Sequence, residues 1–268
     1  MLAASLIKQG KSMPLGIAIG SNTPAFPSRS LNLQIVQPNQ QGGQKLSGFG
    51  YEANYNDDLL QTWIGIGSQL DGLGHLGEGG HYYNRLDEKE ISAITDLKKL
   101  GTHDVPPLVG RAVILDMAAH SGVDIMPAGA HFGEAEIKAA AQAQGVTMGE
   151  GDIILFHTGW TEGMLESDPA AWGSSEPGLN NEGAEYLASL NPMAVGADTW
   201  GLEPIPAPEG DKVFYSHVTL LKENGIYILE TMNVWPLVRE GVNEFMFVLG
   251  QPGIVGTVQA MINPVALY

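Results

Sequence analysis

Apolar residues in this chain cluster in short unbroken runs instead of long helical stripes. Ala112-Val113-Ile114-Leu115, Ile153-Ile154-Leu155-Phe156 and Ile226-Tyr227-Ile228-Leu229 each pass four positions without a charged or amide residue. Runs of that length predict strands buried on both faces. Strands are expected over residues 111–116, 152–157, 193–197 and 226–230, with closing strands at 244–249 and 258–262. Residues 15–19 and 63–68 read as two more, the second because large and small residues alternate ahead of Gln69.

Helices fall between these runs. Residues 134–144 give the clearest one: Glu134 and Glu136 sit in its first turn, alanines fill its body, and Gly145 supplies a left-handed cap. Others are expected at 91–97, 182–190 and 216–223, the last ended by Asn224-Gly225, with a helical turn at 3–8. Residues 21–56 are rich in Pro, Gly, Gln, Asn and Ser and read as irregular, either a long functional loop or a mobile flap. Helices and strands alternate without a repeat or a break in composition. One α/β domain spanning residues 1–268 is the expectation.

Charge narrows the range of partners. Thirty acidic against thirteen basic residues give a formal net charge of −17, a surface that repels nucleic-acid phosphates and anionic lipid. A small-molecule substrate is expected, with no nucleic acid and no membrane. No run approaches the length of a membrane span, and residues 1–9 lack the basic start of a secretory leader. A cytoplasmic protein is therefore expected. Cysteine is absent, which removes thiol nucleophiles, thiolate ligands and disulfides together. Histidine, carboxylate and amide oxygen are the ligands left.

Those types gather in Ser68-Gln69-Leu70-Asp71-Gly72-Leu73-Gly74-His75. On a strand, Gln69 and Asp71 project from one face, and the small residues after them let the chain turn and bring His75 alongside. Two oxygen ligands and an imidazole suit a divalent cation or a general acid/base, so an enzyme is expected. A second pair, His217 and Glu230, comes from the helix-turn-strand of residues 216–230, whose return path brings its two ends to the same edge of the sheet.

Each feature has a plainer reading. Asp71 and His75 alone would be a cap and a hydrogen-bonded imidazole. Glu230 ends an apolar strand, where an unpaired carboxylate is costly to bury; an ion pair is the alternative to ligation. Gly72, Gly74 and Gly77 match a dinucleotide fingerprint in form, but Glu78-Gly79-Gly80-His81 follows where a helix is required. His131 divides evenly between a structural and a substrate-contact role, and His157 reads as structural. His81, Tyr82 and Tyr83 follow the motif closely enough to line a pocket, and with Trp63 and Trp200 they are the aromatic and imidazole contacts expected around a substrate.

The residues also resemble a known family. With the hallmark His-x-Gly-Thr-His-x-Asp-x-Pro-x-His laid on this chain, Gly67, Ser68, Asp71 and His75 take its Gly, Thr, Asp and last His. Gly110-Arg111-Ala112-Val113-Ile114-Leu115-Asp116, residues 151–160, Gly196-Ala197-Asp198-Thr199 and residues 224–230 follow in the same order. The whole resembles the cyclase/kynurenine formamidase-like family of metal-dependent hydrolases, with its isatin hydrolases and trans-dienelactone hydrolases. Three positions depart: the family's first two His fall on Gly65 and Gln69, and its Pro on Leu73. The resemblance implies an α/β domain with a mixed β-sheet flanked by helices (a swivelling β/β/α fold), assembled as a homodimer or homotetramer, with residues 21–56 as a candidate cross-subunit arm. It implies one divalent metal ion, Mn or Zn, because Gly65 removes the ligand for a second. Gln69, Asp71, His217 and Glu230 would hold that ion, and the weaker Gln ligand favours Mn²⁺. His75 would be the acid/base, although its position also permits ligation. The activity implied is hydrolysis of an amide, lactone or cyclic imide. The alternatives are a metal-dependent cyclase or dehydratase, and a small-molecule-binding member without activity.

Overall fold

The structure is a computed structural model that describes residues 3–36, 44–45, 50–51 and 53–268. In chain order its strands are β1 (Ser12–Pro14), β2 (Leu31–Val36), β3 (Gln44–Lys45), β4 (Asn54–Tyr55), β5 (Asp57–Thr62), β6 (Gln69–Asp71), β7 (Leu108–Asp116), β8 (His131–Phe132), β9 (Ile153–His157), β10 (Gly178–Leu179), β11 (Ala194–Ala197), β12 (Tyr227–Glu230), β13 (Glu244–Leu249), β14 (Gln259–Met261) and β15 (Val265–Leu267). Nine of them form one sheet in the order β1-β15-β13-β7-β9-β11-β12-β6-β14. The centre, β7-β9-β11-β12, is parallel, and antiparallel strands extend it on both sides.

Burial on both faces explains the unbroken apolar runs. Val113, Leu115, Ile154, Phe156 and Ile228 point one way, into a cluster with Ile137, Ala140, Ala184, Leu187 and Leu220. The helices Glu134–Gln144 and Asn181–Ser189, and the π-helical turn Val218–Glu223, supply that second layer. Ala112, Ile114, Ile153, Leu155 and Leu229 point the other way, to Leu237, Phe245 and Phe247. Each fully buried Ile, Leu or Phe contributes roughly 1.5–3 kcal/mol, so these clusters fix the strand register that the site depends on. The helix Glu134–Gln144 starts where its acids place it: Glu136 accepts from the Gly133 N–H at 3.0 Å, and Gly145 closes it at φ 68°.

Four local expectations are corrected. Residues 15–19 are not a strand, which lies at Ser12–Pro14 instead; the Gly16 and Ile17 N–H groups go to the Asn263 and Ser68 side chains, not to a neighbouring strand. Residues 63–68 are not a strand: 64–68 are a succession of bends, with Gly67 at φ 71°, between β5 and β6. The helix expected at 91–97 lies at Glu88–Ile91, capped by Asp87, and Ile94 beyond it is fully exposed. The segment 21–56 is not irregular throughout, since β2 pairs with β5 over six residues and β3 with β4. The alternation Leu31-Asn32-Leu33-Gln34-Ile35 carried that strand signal. Residues 37–43, 46–49 and 52 lie outside the described residues.

Candidate active site

The sheet assembles the site by register. Gln69 and Asp71 lie two apart on β6; Gln69 faces Glu230 of β12, and Asp71 faces Gln259 of β14. Opposed residues share a face, so two carboxylates and two amides from three strands meet on one side of the sheet. Gln259 Nε2 donates to Asp71 Oδ1 at 2.7 Å, and Gln69 Nε2 donates to Glu230 Oε2. In this arrangement Gln69 turns its NH₂ towards the carboxylates, and ligation through its oxygen needs the amide rotated.

Two imidazoles complete the group. His217 brings its Nε2 to 3.2 Å from Glu230 Oε1 and 3.7 Å from Asp71 Oδ2, and His75 Nε2 also lies 3.7 Å from Asp71 Oδ2. His75 reaches that point because residues 72–75 form a turn, its N–H donating to the Gly72 carbonyl at 2.9 Å. Behind His217, Glu203 Oε1 accepts from both its backbone N–H at 2.9 Å and its Nδ1–H at 2.8 Å. A carboxylate behind an imidazole fixes the ring and its tautomer, leaving Nε2 for the centre.

The donor set fits a cation on one observation above all. Asp71 Oδ2 is fully buried and has no hydrogen-bond partner, which costs about 1–3 kcal/mol for a neutral group and more for a charged one. Asp71, His217 and Glu230 each offer a ligand atom, all within 4.8 Å of one another. The charges that crowd the centre point to the same excess of negative charge. Burial, and then the charge of Asp71, pushes Glu230 up to about 7. For Asp71, burial pushes the carboxyl up, but the His75 charge, the nearby His217 ring and the hydrogen bond from Gln259 outweigh it and hold it down. Burial opposes a charge on His217, but the Asp71, Glu203 and Glu230 carboxylates around it outweigh burial and raise it well above the usual range, whereas burial lowers His75.

A cavity of about 130 Å³ opens on this centre, lined by His75, His217, Glu230, Arg29, Phe26, Trp200 and Phe214. Backbone strain gathers at its edges. Ser28, Leu202, Phe214 and Thr231 are four of the eight non-glycine residues with positive φ among the described residues, and each either lines the cavity or adjoins a residue of the site, as expected of positions held by the surrounding structure. Beneath it, Glu176 Oε2 accepts from the Trp200 N–H at 2.6 Å while Oε1 has no partner. Burial first, and then the charge of Glu230, raises its carboxyl well above the usual range.

Of the residues expected from sequence, Gln69, Asp71, His75, His217, Glu230 and Trp200 converge. Trp63 lines a different hollow, beside residues 92–97. His81 is exposed in a tight turn, and the Tyr82 and Tyr83 rings pack against Gly77 and Gly225. His131 is exposed on β8, away from the cavity. Arg29, Phe26, Phe214, Glu203, Glu176 and Gln259 were not anticipated. Glu203 did leave a trace, a lone acid between Leu202 and Pro204 in a Gly/Pro loop.

A second cluster caps the neighbouring strands. His157, at the end of β9, donates to Asp116 at 2.8 Å and to Glu162, and stacks on Trp235 at 5.4 Å. Both ring nitrogens thus face carboxylates, the setting of an imidazolium, and His157, Glu162 and Asp198 each bring a ligand atom within 4.8 Å of the others. Burial opposes that charge, but the bonds to Asp116 and Glu162 outweigh it and lift His157 to about 10. Asp198 beside it accepts from the Thr158 and Gly159 N–H groups and the Thr158 hydroxyl.

The fold is α/β, a mixed sheet that gathers buried carboxylates, amides and imidazoles at one edge. The "Putative cyclase" family model matches residues 13–204, and the chain belongs to that family. A structure described as a novel cyclase is 26% identical, with a TM-score of 0.88, covering 100% of this chain and 90% of its own. An isatin hydrolase bound to the product analogue thioisatinate is 16% identical (TM-score 0.71; 100% and 96% covered). A potential metal-dependent hydrolase with cyclase activity is 15% identical (TM-score 0.62; 96% and 98% covered). No curated protein sequence matches the chain. Among the described residues, no helix is long and apolar enough to cross a membrane.

Proposed function

We propose that this chain is a metal-dependent hydrolase that opens an amide, lactone or cyclic imide bond of a small molecule. The observation that carries the proposal is the unpartnered Asp71 Oδ2, buried among Glu230 and two imidazoles. Asp71, His217 and Glu230 are the residues that would hold a divalent ion, with Gln69 as a fourth once its amide turns. Such an ion supplies Lewis acidity towards a carbonyl and lowers the pKa of a water. A donor set richer in oxygen than in nitrogen favours Mn²⁺ over Zn²⁺.

The chain's own groups supply the rest. His75 lies between Asp71 and the cavity and is kept largely neutral near pH 7 by its lowered pKa, so its Nε2 can take a proton from an attacking water and return it to the leaving group. Glu203 holds His217 with Nδ1 protonated. Because His217 is cationic without the ion, loading displaces a proton and weakens as pH falls. Phe26, Trp200 and Phe214 exclude water from one side of the reacting carbonyl.

A screen of Mn²⁺-loaded protein against lactones, formamides and cyclic imides, with products identified by mass spectrometry, tests the reading. His75→Ala is expected to keep the ion and lose about 10²–10⁴ in kcat. An unchanged kcat in that variant removes His75 from the mechanism.

The assembly we propose is a homodimer or homotetramer. On the β2–β5 hairpin, Leu33, Ile35 and Leu60 share one face, and all three are about half exposed. A two-stranded ribbon is marginal in isolation, and a second copy is the occupant that would cover this face.

A further inference from the structure

The two oxygens of Asp71 have opposite surroundings. Oδ1 accepts from Gln259 Nε2 at 2.7 Å, with Gln69 Nε2 farther off at 3.5 Å. Oδ2 has no hydrogen-bond partner and lies 3.7 Å from the Nε2 atoms of both His75 and His217. An isolated carboxylate has two equivalent oxygens, so its neighbours impose this division. The contact from Gln69 is at the outer limit of a hydrogen bond, and it is given up when that amide turns to offer its oxygen. Gln259 is then the one amide among the described residues that still holds Oδ1.

The strand and its neighbours fix Gln259 for that task. It stands opposite Asp71 in the pairing of β14 with β6. Just before it, the Val258 carbonyl accepts from the Gly72 N–H at 3.0 Å and the Thr257 carbonyl from the Thr102 N–H at 2.9 Å. The side chain itself is buried. An ionised carboxylate accepts and cannot donate, which settles the orientation of the amide: Nε2 meets Asp71 and Oε1 turns away. Oε1 lies beside Gly65, where an added Cβ would come within 2.8 Å of it. The Gly65 carbonyl is in turn held by Arg29 Nη1 at 2.6 Å. A glycine at 65 thus leaves the room that the Gln259 amide occupies.

We propose that Gln259 is a positioning residue of the centre: it binds Asp71 Oδ1, so that Oδ2 alone meets the ion and Asp71 acts as a one-oxygen ligand. This rests on the metal-binding reading above and adds to it which oxygen ligates and which residue selects it. Hydrogen bonds from outside the ligand set orient ligating carboxylates and are costly to remove. A neutral donor suits the role. It fixes one oxygen without cancelling the charge that attracts a cation, whereas a Lys or Arg at 259 would pair with Asp71 and compete with the ion.

Gln259→Met keeps the length of the side chain and removes the donor. Mn²⁺ binding to wild type and variant is measured by calorimetry on the full chain, and the visible absorption of the Co²⁺-loaded proteins is recorded per bound ion. Co²⁺ accepts the same oxygen and imidazole ligands, and its absorption weakens as its coordination number rises. Mn²⁺ affinity should fall by at least about tenfold, and absorption per bound Co²⁺ should weaken as Oδ1 joins Oδ2 on the ion. Near-UV circular dichroism without metal shows whether the variant is folded; Gln259→Asn, whose amide stops one carbon short of Asp71, decides if Gln259→Met is not. A smaller loss of affinity overturns the proposal. So does a full loss with the Co²⁺ absorption unchanged or stronger, which would make Gln259 a structural support only. If wild type takes up no stoichiometric ion, the metal-binding reading falls and this proposal with it. If wild type loads and the variant matches it, this proposal falls alone.

Discussion

His157 gives the chain a pH dependence that can be worked out from its contacts. Its imidazolium is clamped between Asp116 and Glu162 and almost wholly buried, with a folded-state pKa of about 10 against an ordinary value of 6.5. A raised pKa means that the folded state holds its proton after the unfolded state has lost it. The stabilisation is complete below about pH 6.5 and disappears as pH rises through about 10, at about 1.4 kcal/mol per pH unit in between. Over that window the ceiling is about 5 kcal/mol, and because water reaches both carboxylates, roughly half of it is the expected effect. The assay is urea unfolding of wild type and His157→Gln at pH 6, 7, 8 and 9, with chelator present throughout. The wild type should be the more stable at pH 6, and its margin should shrink by roughly 1.5–2 kcal/mol by pH 9. A margin independent of pH would refute the clamped imidazolium.

Other consequences follow from the hydrogen bonds behind the site. Glu203→Gln removes the charge that holds His217 and should weaken Mn²⁺ binding about 10–100-fold by calorimetry; unchanged affinity would detach Glu203 from the centre. Glu176 is held as a neutral acid, so Glu176→Gln should alter stability by less than about 1 kcal/mol in urea, whereas Glu176→Ala should cost about 2–4 kcal/mol. Equal losses would show that the charge, not the shape, is required. Leu33→Glu with Leu60→Glu should shift sedimentation to a smaller species while circular dichroism is unchanged, and identical sedimentation would place the contact between copies elsewhere.

How much of this the sequence disclosed depended on whether the signal was local. Gln69 and Asp71 were legible because strand geometry fixes the relation of i to i+2, and His217 and Glu230 because one short helix-turn-strand joins them. Gln259 was not, since only the pairing of β14 with β6, across nearly the whole chain, sets it opposite Asp71. Arg29 was hidden for a similar reason: it lies in a Pro-rich segment whose place in the structure is fixed by contacts to Phe26, Gly65 and Trp200. Proximity along the chain misled in the opposite direction. His81, Tyr82 and Tyr83 follow the motif closely, yet the chain turns them away from the cavity, and Trp63 precedes it by six residues and lines another hollow. The central strands were readable because burial on both faces leaves no polar position. The bends at 64–68 were not, because the glycines that break the alternation resemble the small members of it.

The central claim is that Asp71, His217 and Glu230 hold one divalent ion. Its most direct test is elemental analysis of wild type and Asp71→Ala, each prepared without affinity nickel and then incubated with Mn²⁺ or Zn²⁺. About one equivalent in wild type, lost in a folded Asp71→Ala, is the expected result. No stoichiometric metal in wild type, or equal loading of the variant, would contradict it.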